Sequence, residues 1–440
     1  MRILGLCDDK SPGESSGSPA FPVSVGKSVA TDPKVLQTLR TSPGDEKEKD
    51  PMVLSHISTE TSGVEPPLVE RVRALAGRVA GPTAADRDRD RRWDPELLTE
   101  LARAGAGCLT GPLVPRSLGG AELSAVQTFA LLEGLGEGAR DPGLALAVGV
   151  HAVLATVPLR AFGTLGQRAR YLPRTASGEW PAGLSLRQTQ GAALDSTVTA
   201  RPAMAGLGGW VLSGELDLVV NAPIANHFLV VAAHHGGGRT AFVVDRTTPG
   251  LLITEAAPAA MRTCAWGRIV LDGCRVPDEA VLGTPLGAAT EVEPLLATLD
   301  WVFTSAPWLG IMRALTRDAV NGAHQANRFG RPVAHAQSAR FTLADLATRC
   351  ELAGGLLYRA ARRFDTDGRP SHQDAAIARL FAAEAALAVT EGMARLSGPL
   401  AFTGDHLIER AHRDALFFAE TGGGTEVLRP VIAASLLGLG

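Results

Sequence analysis

The sequence predicts a multidomain α+β protein, with a helical N-terminal domain, a central antiparallel β-domain and a C-terminal four-helix bundle. Its 440 residues are enough for two or three structural units. The hydrophobic pattern changes twice along the chain, from helical to strand-like and back to helical, which favours separate α, β and α domains. The predicted domain boundaries are 66–180, 181–287 and 288–440.

The first 65 residues lack any sustained hydrophobic period. They are rich in Ser, Pro, Gly and charged residues, as in SPGESSGSP and SPGDEKEKDP. Such a composition cannot bury enough apolar surface to offset the loss of chain entropy. We therefore expect residues 1–65 to form a disordered extension before the folded domains.

The helical pattern starts at Pro66. Residues 69–80 repeat apolar side chains at helical spacing. Asp94 precedes Pro95, and this order is typical of an N-cap followed by the first residue of a helix. Two further helices follow, and the one over 142–163 is almost wholly apolar, which indicates a core helix.

Strand-like segments occupy the middle of the chain. They are short, rich in β-branched residues and separated by Gly, Pro or Asn, which is typical of an antiparallel β-domain with a barrel-like sheet. These segments are WVLSGELDLVVNA, HFLVVAAHH, TAFVVDR, LLITEA and GRIVLDGCRV. Beyond residue 288 the long Ala- and Leu-rich stretches predict helices again.

Composition argues against several functional classes. The net charge of −3 and the aromatic content of 5% provide no surface for nucleic acid or an anionic membrane. The five cysteines form no CxxC pair, so neither a zinc site nor a disulfide framework is expected, and a reducing cytoplasm fits. No uninterrupted apolar run reaches the roughly 18 residues that span a bilayer, and the N-terminus lacks the apolar region of a signal peptide.

Several motifs, taken together and in order, resemble the acyl-CoA dehydrogenase family. The resemblance covers roughly residues 66–440. The motifs are VPRSLGGAELSAVQTFALLEGLGEGARD, FGTLGQRARYLPRTASGEW, GWVLSGELDLVVNAPIANHFLVVA, LDGCRVPDEAVLG, NRFGRPVAHAQ, ERAHRDA and GGGTEVLRPVIA. Each is weak alone, but their combined order is specific.

The resemblance implies a flavoenzyme. It implies FAD at the junction of the β-domain and the C-terminal bundle, a homodimer or homotetramer, and an electron-acceptor protein as a further partner. The substrate would be an acyl thioester on coenzyme A or a carrier protein. A carboxylate removes the α-proton in this family, while the β-hydrogen leaves as hydride to the flavin.

The carboxylate that acts as base in most of the family is missing from its usual place. Gly422 occupies that position, in the last loop of the bundle. Glu420 lies two residues earlier in the same loop. In a subset resembling isovaleryl-CoA dehydrogenase the base lies on a helix of the bundle, and the corresponding residue here is Asp300. A buried Asp300 could act as the base, whereas a helix N-cap or a solvent-facing acid would have no catalytic role.

The flavin-binding pattern is also altered. The Trp-x-Thr motif that packs on the flavin ring in the family corresponds here to Leu218–Val220, and the Thr-Glu-Pro motif is reduced to Ser185. The glycine-rich turn that holds pyrophosphate contains a proline at 399, which lacks an amide donor. By resemblance the candidates for binding FAD are Ser185, Val219, Val220, Arg328, Phe329, Gln337, Arg395, Gly398 and Thr425.

Three functional hypotheses follow from this mixture of retained and lost features. The first is an acyl-CoA dehydrogenase-like flavin oxidoreductase, with Asp300 as base and Glu420 as the alternative. The second is a flavin-dependent monooxygenase, which needs no α-carbon base. The third is a cofactor-free, non-redox protein of a biosynthetic pathway. The high Ala, Gly and Arg content suits a specialised biosynthetic role for any of them.

Overall fold

The computed structural model describes residues 66–439 with the exception of 105–107, 194–195, 204–207, 329, 368–370 and 404–405. The extension 1–65, predicted to be disordered, lies outside the described residues.

Helices form the N-terminal part. A π-helical turn at Val150–Ala155 links α5 to α6. Asp94 accepts a hydrogen bond from the backbone amide of Glu96 at 3.0 Å, which confirms its predicted place at a helix start. The helices are α1 (Pro66–Val79), α2 (Ala84–Arg89), α3 (Pro95–Ala104), α4 (Ala125–Ala139), α5 (Pro142–Gly149), α6 (Thr156–Phe162) and α7 (Leu165–Ala176).

One eight-stranded sheet fills the middle of the chain in the order β6-β7-β3-β1-β4-β5-β8, with β2 pairing β3 and β4. A short hairpin of β9 (Asn327–Arg328) and β10 (Arg331–Pro332) lies farther along. The strands of the sheet are β1 (Ala182–Ser185), β2 (Val198–Pro202), β3 (Trp210–Val220), β4 (His227–His234), β5 (Arg239–Asp245), β6 (Leu251–Glu255), β7 (Trp266–Val276) and β8 (Val281–Leu282).

The prediction of a purely antiparallel sheet was wrong in one respect. Strands β1 and β2 both run parallel to β4, although every other pairing is antiparallel. A parallel pair needs a long connection rather than a tight hairpin. Residues 186–226 provide that connection between β1 and β4. Strands β1 (AGLS) and β2 (VTARP) are short and contain Gly, Ala or Pro, which are uncommon in strands, so the sequence did not predict them.

The two faces of the sheet are buried in different cores. Val219 joins Phe228 and Phe242 in the core of the β-domain. Its neighbour Val220 packs with Trp266 in the large core that the helices share. Side chains alternate between faces along a strand. The C-terminal part of β3 therefore lies at the boundary between the β-domain and the helices.

Six α-helices occur in the described residues of the C-terminal part. Helix α8 ends at Phe303 and α9 begins at Ser305, with Thr304 capping both. Pro307 lies in the first turn of α9 and has no amide to bond to the preceding turn, which accounts for the break. The helices are α8 (Val292–Phe303), α9 (Ser305–Gln325), α10 (Gln337–Asp367), α11 (His372–Ser397), α12 (Leu407–Glu420) and α13 (Gly424–Leu437).

Among the described residues, two helical stretches are long and apolar enough to cross a membrane, although no apolar run of that length was expected from the sequence. They are Pro142–Phe162 and Val292–Gln325. Their most apolar windows are 100% and 94% buried inside the fold. Core helices meet the same criteria, so burial accounts for the apolar character of both.

Candidate active site

Asp300 lies in the last turn of α8 and is 2% exposed. Its carboxylate accepts a hydrogen bond from the Thr189 hydroxyl at 2.6 Å. The Thr304 hydroxyl lies 3.0 Å from the Asp300 carboxylate and 2.5 Å from the Asp300 backbone carbonyl oxygen. Thr189 belongs to a 3₁₀ segment, Leu186–Ala193, that follows β1 and packs against α8. Asp300 is therefore neither a helix N-cap nor a solvent-facing acid, because its carboxylate is buried and has two threonine hydroxyls within hydrogen-bonding distance.

Gly422 lies directly beside this carboxylate. A Cβ atom built on Gly422 would be 3.3 Å from Oδ2 of Asp300 and 3.2 Å from Cδ1 of Trp301. The indole Nε1 of Trp301 donates to the carbonyl oxygen of Gly422 at 2.8 Å. The residue that occupies the usual base position of the family thus meets Asp300 in space, although 121 residues separate the hydrogen-bonded pair Trp301 and Gly422.

A small cavity opens in front of Asp300. Its polar lining consists of Asp300, Thr304 and Thr421, and the remaining lining is apolar and aromatic. Trp308 and Phe418 stack there with ring centroids 5.1 Å apart. The cavity volume is about 10 Å³, close to the minimum that one water molecule needs. The carboxylate is accordingly shielded from bulk solvent by apolar side chains.

Arg379 of α11 is fully buried next to the same residues. Its guanidinium donates to Thr304 Oγ1 at 2.9 Å, to the carbonyl oxygen of Phe418 at 2.7 Å and to that of Thr421 at 2.9 Å. Burial lowers the pKa of Arg379 to about 10, against the opposing effect of the negative charge on Asp300. Thr304 therefore links a buried cation to the buried carboxylate.

The residues that correspond to the flavin-ring motif lie at the end of β3. Val219 and Val220 are fully buried, and Leu218 is half-buried with a φ of 48°. The Ser185 hydroxyl donates to the carbonyl oxygen of Asp217 at 2.6 Å, so it serves the sheet itself. This strand end presents apolar side chains to the helical core and no hydroxyl at position 220.

The other candidates for binding FAD are spread over the surface of this chain. Arg395 forms an exposed ion pair with Glu391. Gly398 follows the end of α11 with a φ of 70°. Gln337 and Thr425 are exposed in the first turns of α10 and α13. Phe329 and the side chain of Arg328 lie outside the described residues.

Glu420, the alternative base, ends α12 and is exposed. Its carboxylate lies 3.2 Å from where a Cβ of Gly424 would be, and Glu420 is not among the residues that line the cavity. Of the two carboxylates that the sequence indicated, only Asp300 faces the cavity.

Some features of the candidate site suit FAD and others do not. The apolar strand end and the aromatic side chains suit a flat ring, but Val220 offers no hydrogen bond where the family has a hydroxyl. The cavity of about 10 Å³ in front of Asp300 has room for about one water molecule. Within residues 66–439, less the gaps, no group of three or more potential metal ligands occurs.

Sequence reasoning missed Thr189, Thr304, Trp301 and Arg379. Thr304 had a usable signal, since it follows Asp300 by one helical turn. Arg379 also had one, since it is the single arginine in the Ala-rich stretch DAAIARLFAAEAALA. Thr189 had none, because only the tertiary fold brings its segment to α8.

Comparison with known proteins identifies relatives of this chain. Sequence models of the N-terminal and C-terminal domains of acyl-CoA dehydrogenases match residues 65–179 and 302–437. A benzylmalonyl-CoA dehydrogenase of Aromatoleum aromaticum is 30% identical over 80% of this chain and 92% of its own. An L-prolyl-(peptidyl-carrier protein) dehydrogenase of Pseudomonas fluorescens is 28% identical over 77% and 90%.

A solved structure described as PigA with FAD and proline has the same fold, with a TM-score of 0.77 and 24% identity. The likeness covers 90% of this chain and all of that one. Three observations support the same family. They are the order of α, β and α regions, the two matched domains and the relative at 30% identity. This chain belongs to the acyl-CoA dehydrogenase family.

Proposed function

We propose that this protein is an acyl-CoA dehydrogenase-like flavin oxidoreductase whose substrate is an acyl thioester on coenzyme A or a carrier protein, with Asp300 as the base. The proposal rests above all on the contact between Gly422 and Asp300. A Cβ at 422 would be 3.3 Å from the Asp300 carboxylate. A carboxylate reaching from position 300 and one reaching from position 422 therefore arrive at the same point.

Asp300 is suited to abstract a proton from the carbon next to a thioester carbonyl. The α-proton would move to a carboxylate oxygen, and the electron pair of the broken C–H bond would pass toward the thioester carbonyl. Thr189 and Thr304 hold the carboxylate in one orientation, and the apolar lining keeps water away. FAD, when bound, supplies the acceptor for the β-hydrogen as hydride.

The relatives support this substrate class. Their names specify a coenzyme A thioester in one case and a carrier-protein thioester in another, and the solved relative holds FAD. We extend the proposal to a homodimer or homotetramer that passes electrons to an acceptor protein. The altered flavin positions, Val220 above all, predict weaker flavin binding than in relatives with the full motif.

The test is exchange of the substrate α-proton with solvent deuterium, followed by mass spectrometry, for a panel of CoA and carrier-protein thioesters. This half-reaction needs the base but no net oxidation. We expect exchange with the parent protein and a loss of about 10²- to 10⁴-fold in Asp300→Asn, the range for removal of a general base. Glu420→Gln tests the rival carboxylate. Undiminished exchange in Asp300→Asn would refute the assignment.

One observation favours the cofactor-free hypothesis as a second candidate, namely that Val220 offers no hydrogen bond where the family has a hydroxyl. The visible absorbance spectrum of the purified protein, before and after incubation with FAD, separates the two. Flavin bands near about 450 nm are expected for a flavoprotein. A featureless spectrum after FAD is added and removed would make the non-redox function the leading one.

A further inference from the structure

Two fully buried arginines occur among the described residues, and they differ in whether a carboxylate pairs with their charge. Arg87 forms a direct ion pair with buried Asp141 at 2.6 Å. Within the described part of the chain, Arg379 forms no ion pair with any carboxylate, and its Nε has no hydrogen-bond partner. Burying a charge without a counter-ion costs several kcal/mol, which hydrogen bonds offset only in part. A buried arginine without a carboxylate partner is therefore a candidate for a specific role at this place.

Hydrogen bonds connect Arg379 to both sides of the cavity. Besides Thr304, its guanidinium contacts Ser305 Oγ at 3.4 Å and the Thr421 hydroxyl at 3.0 Å. The centre of the guanidinium lies 3.7 Å from the centroid of the Phe418 ring. The same side chain thus holds the α8–α9 junction, which carries Asp300, and the loop that carries Gly422.

Thr304 is the link between the two charges. Its hydroxyl lies 2.5 Å from the backbone carbonyl oxygen of Asp300 and 3.0 Å from Oδ1 of the Asp300 carboxylate, and it accepts from Nη1 of Arg379 at 2.9 Å. A direct ion pair would occupy the carboxylate lone pairs that a base needs free. A cation one hydroxyl away instead favours the ionised carboxylate electrostatically and leaves an oxygen available.

Other ionisable groups near α8 are engaged elsewhere or exposed. His151 contacts the backbone of Thr175 and Ala182, and His372 contacts Thr298. Arg187 and Glu420 are exposed. The remaining polar groups that reach Asp300 or Arg379 from the 3₁₀ segment, from α9 and from the last loop are the uncharged Thr189, Thr304, Ser305 and Thr421.

We propose that Arg379 is a positioning residue that acts through Thr304 to keep Asp300 ionised and oriented inside an apolar cavity. This inference rests on the proposed function, because it assigns a role in preparing the base. It also makes a physical claim about Asp300 that holds without substrate or cofactor.

Infrared difference spectroscopy between the parent protein and Asp300→Asn tests that claim on the purified full chain without substrate. The carbonyl band of the protonated Asp300 carboxyl is followed as the pH is lowered. In an Arg379→Gln background the band should appear at a pH higher by about one unit or more. Arg379→Lys retains the charge and should stay close to the parent midpoint.

Thr304→Val breaks the link while Arg379 stays in place, and it should shift the midpoint in the same direction as Arg379→Gln. Arg87→Gln is the matched control, since it also neutralises a buried arginine, and Arg87 is not among the residues that line the cavity. It should lower the melting temperature without moving the midpoint. If Arg379→Gln fails to fold, Thr304→Val and Arg379→Lys carry the test.

Two negative results are distinguishable. An unshifted midpoint in Arg379→Gln, or in Thr304→Val where the former does not fold, overturns the role of Arg379. A shifted midpoint in a protein that exchanges no substrate α-proton supports that role and refutes the proposed dehydrogenase chemistry. Where exchange occurs, the pH at which the exchange rate falls on the acid side should shift in Arg379→Gln by the same amount as the infrared midpoint.

Discussion

The contact between Gly422 and Asp300 predicts that the base can be moved from one position to the other. The perturbation is the double variant Asp300→Ala/Gly422→Glu, compared with each single variant. Asp300→Ala removes the carboxylate and also clears the space 3.3 Å from a Cβ at 422. Glu at 422 then projects a carboxylate toward the vacated place. Its extra methylene relative to Asp gives it additional reach.

The expected magnitudes follow from the geometry. Gly422 has a φ of 74°, where a side chain costs about 1–2 kcal/mol. Its Cβ would also press on Trp301 at 3.2 Å. Gly422→Glu alone adds a second carboxylate next to the first, so we expect it to be the least stable of the three variants. Loss of the base in Asp300→Ala costs about 10²- to 10⁴-fold in α-proton exchange.

The assay is the same deuterium exchange, with melting temperatures measured in parallel. The double variant should exchange at least about 10-fold faster than Asp300→Ala, since part of the contribution of a general base returns. Asp300→Ala/Gly422→Gln is the control, because glutamine has a similar shape and cannot accept the proton. Equal rates for the Glu and Gln double variants, both folded, would refute the idea that the two positions share one site.

Three further predictions concern stability and selectivity. Burial lowers the pKa of His227 to about 3, so stability that is fully present above pH 6.5 is lost as the pH falls toward 3. When the pH is lowered from above 6.5 to 5, His227→Phe should therefore lose about 2 kcal/mol less stability than the parent, as measured by thermal unfolding. The exposed His235→Phe should show no such difference from the parent. Arg87→Met leaves Asp141 buried and unpaired and should cost about 3–5 kcal/mol in urea unfolding, with partial recovery in the double variant with Asp141→Asn. Trp308→Leu enlarges the cavity and should raise kcat/KM for an acyl chain one methylene longer, relative to the shorter one, by about 10-fold; an unchanged ratio would show that Trp308 does not limit the acyl group.

Local pattern was sufficient for most of the fold. The apolar segment over 142–163 and all five strand segments appear as regular elements at the predicted places. These segments carry strong periodicity, and periodicity reports burial directly. The strands β1 and β2 were missed because they are short and contain Gly, Ala or Pro, which are uncommon in strands. The parallel pairing of β1 with β4 depends on the long connection over 186–226.

One residue of the candidate site could be predicted from the sequence. Counting along the family motifs identified Asp300, whose carboxylate faces the cavity. The same counting could not exclude Glu420, because a shift of two residues at a helix end decides whether a side chain points inward or outward. Nothing in the local sequence connects Arg379 or Thr189 to position 300.

The family, the order of α, β and α regions and the absence of a carboxylate at position 422 can all be read from the amino-acid sequence alone. These depend on residue identity and local period, which are written along the chain. Only the tertiary structure decided that Asp300 is buried beside Gly422, that Thr304 joins it to Arg379, and that the strand end at Val220 is closed. The contact of Arg379 with Thr304 joins residues 75 positions apart, and that of Gly422 with Asp300 joins residues 122 positions apart. Such contacts arise from packing of whole elements rather than from any local pattern.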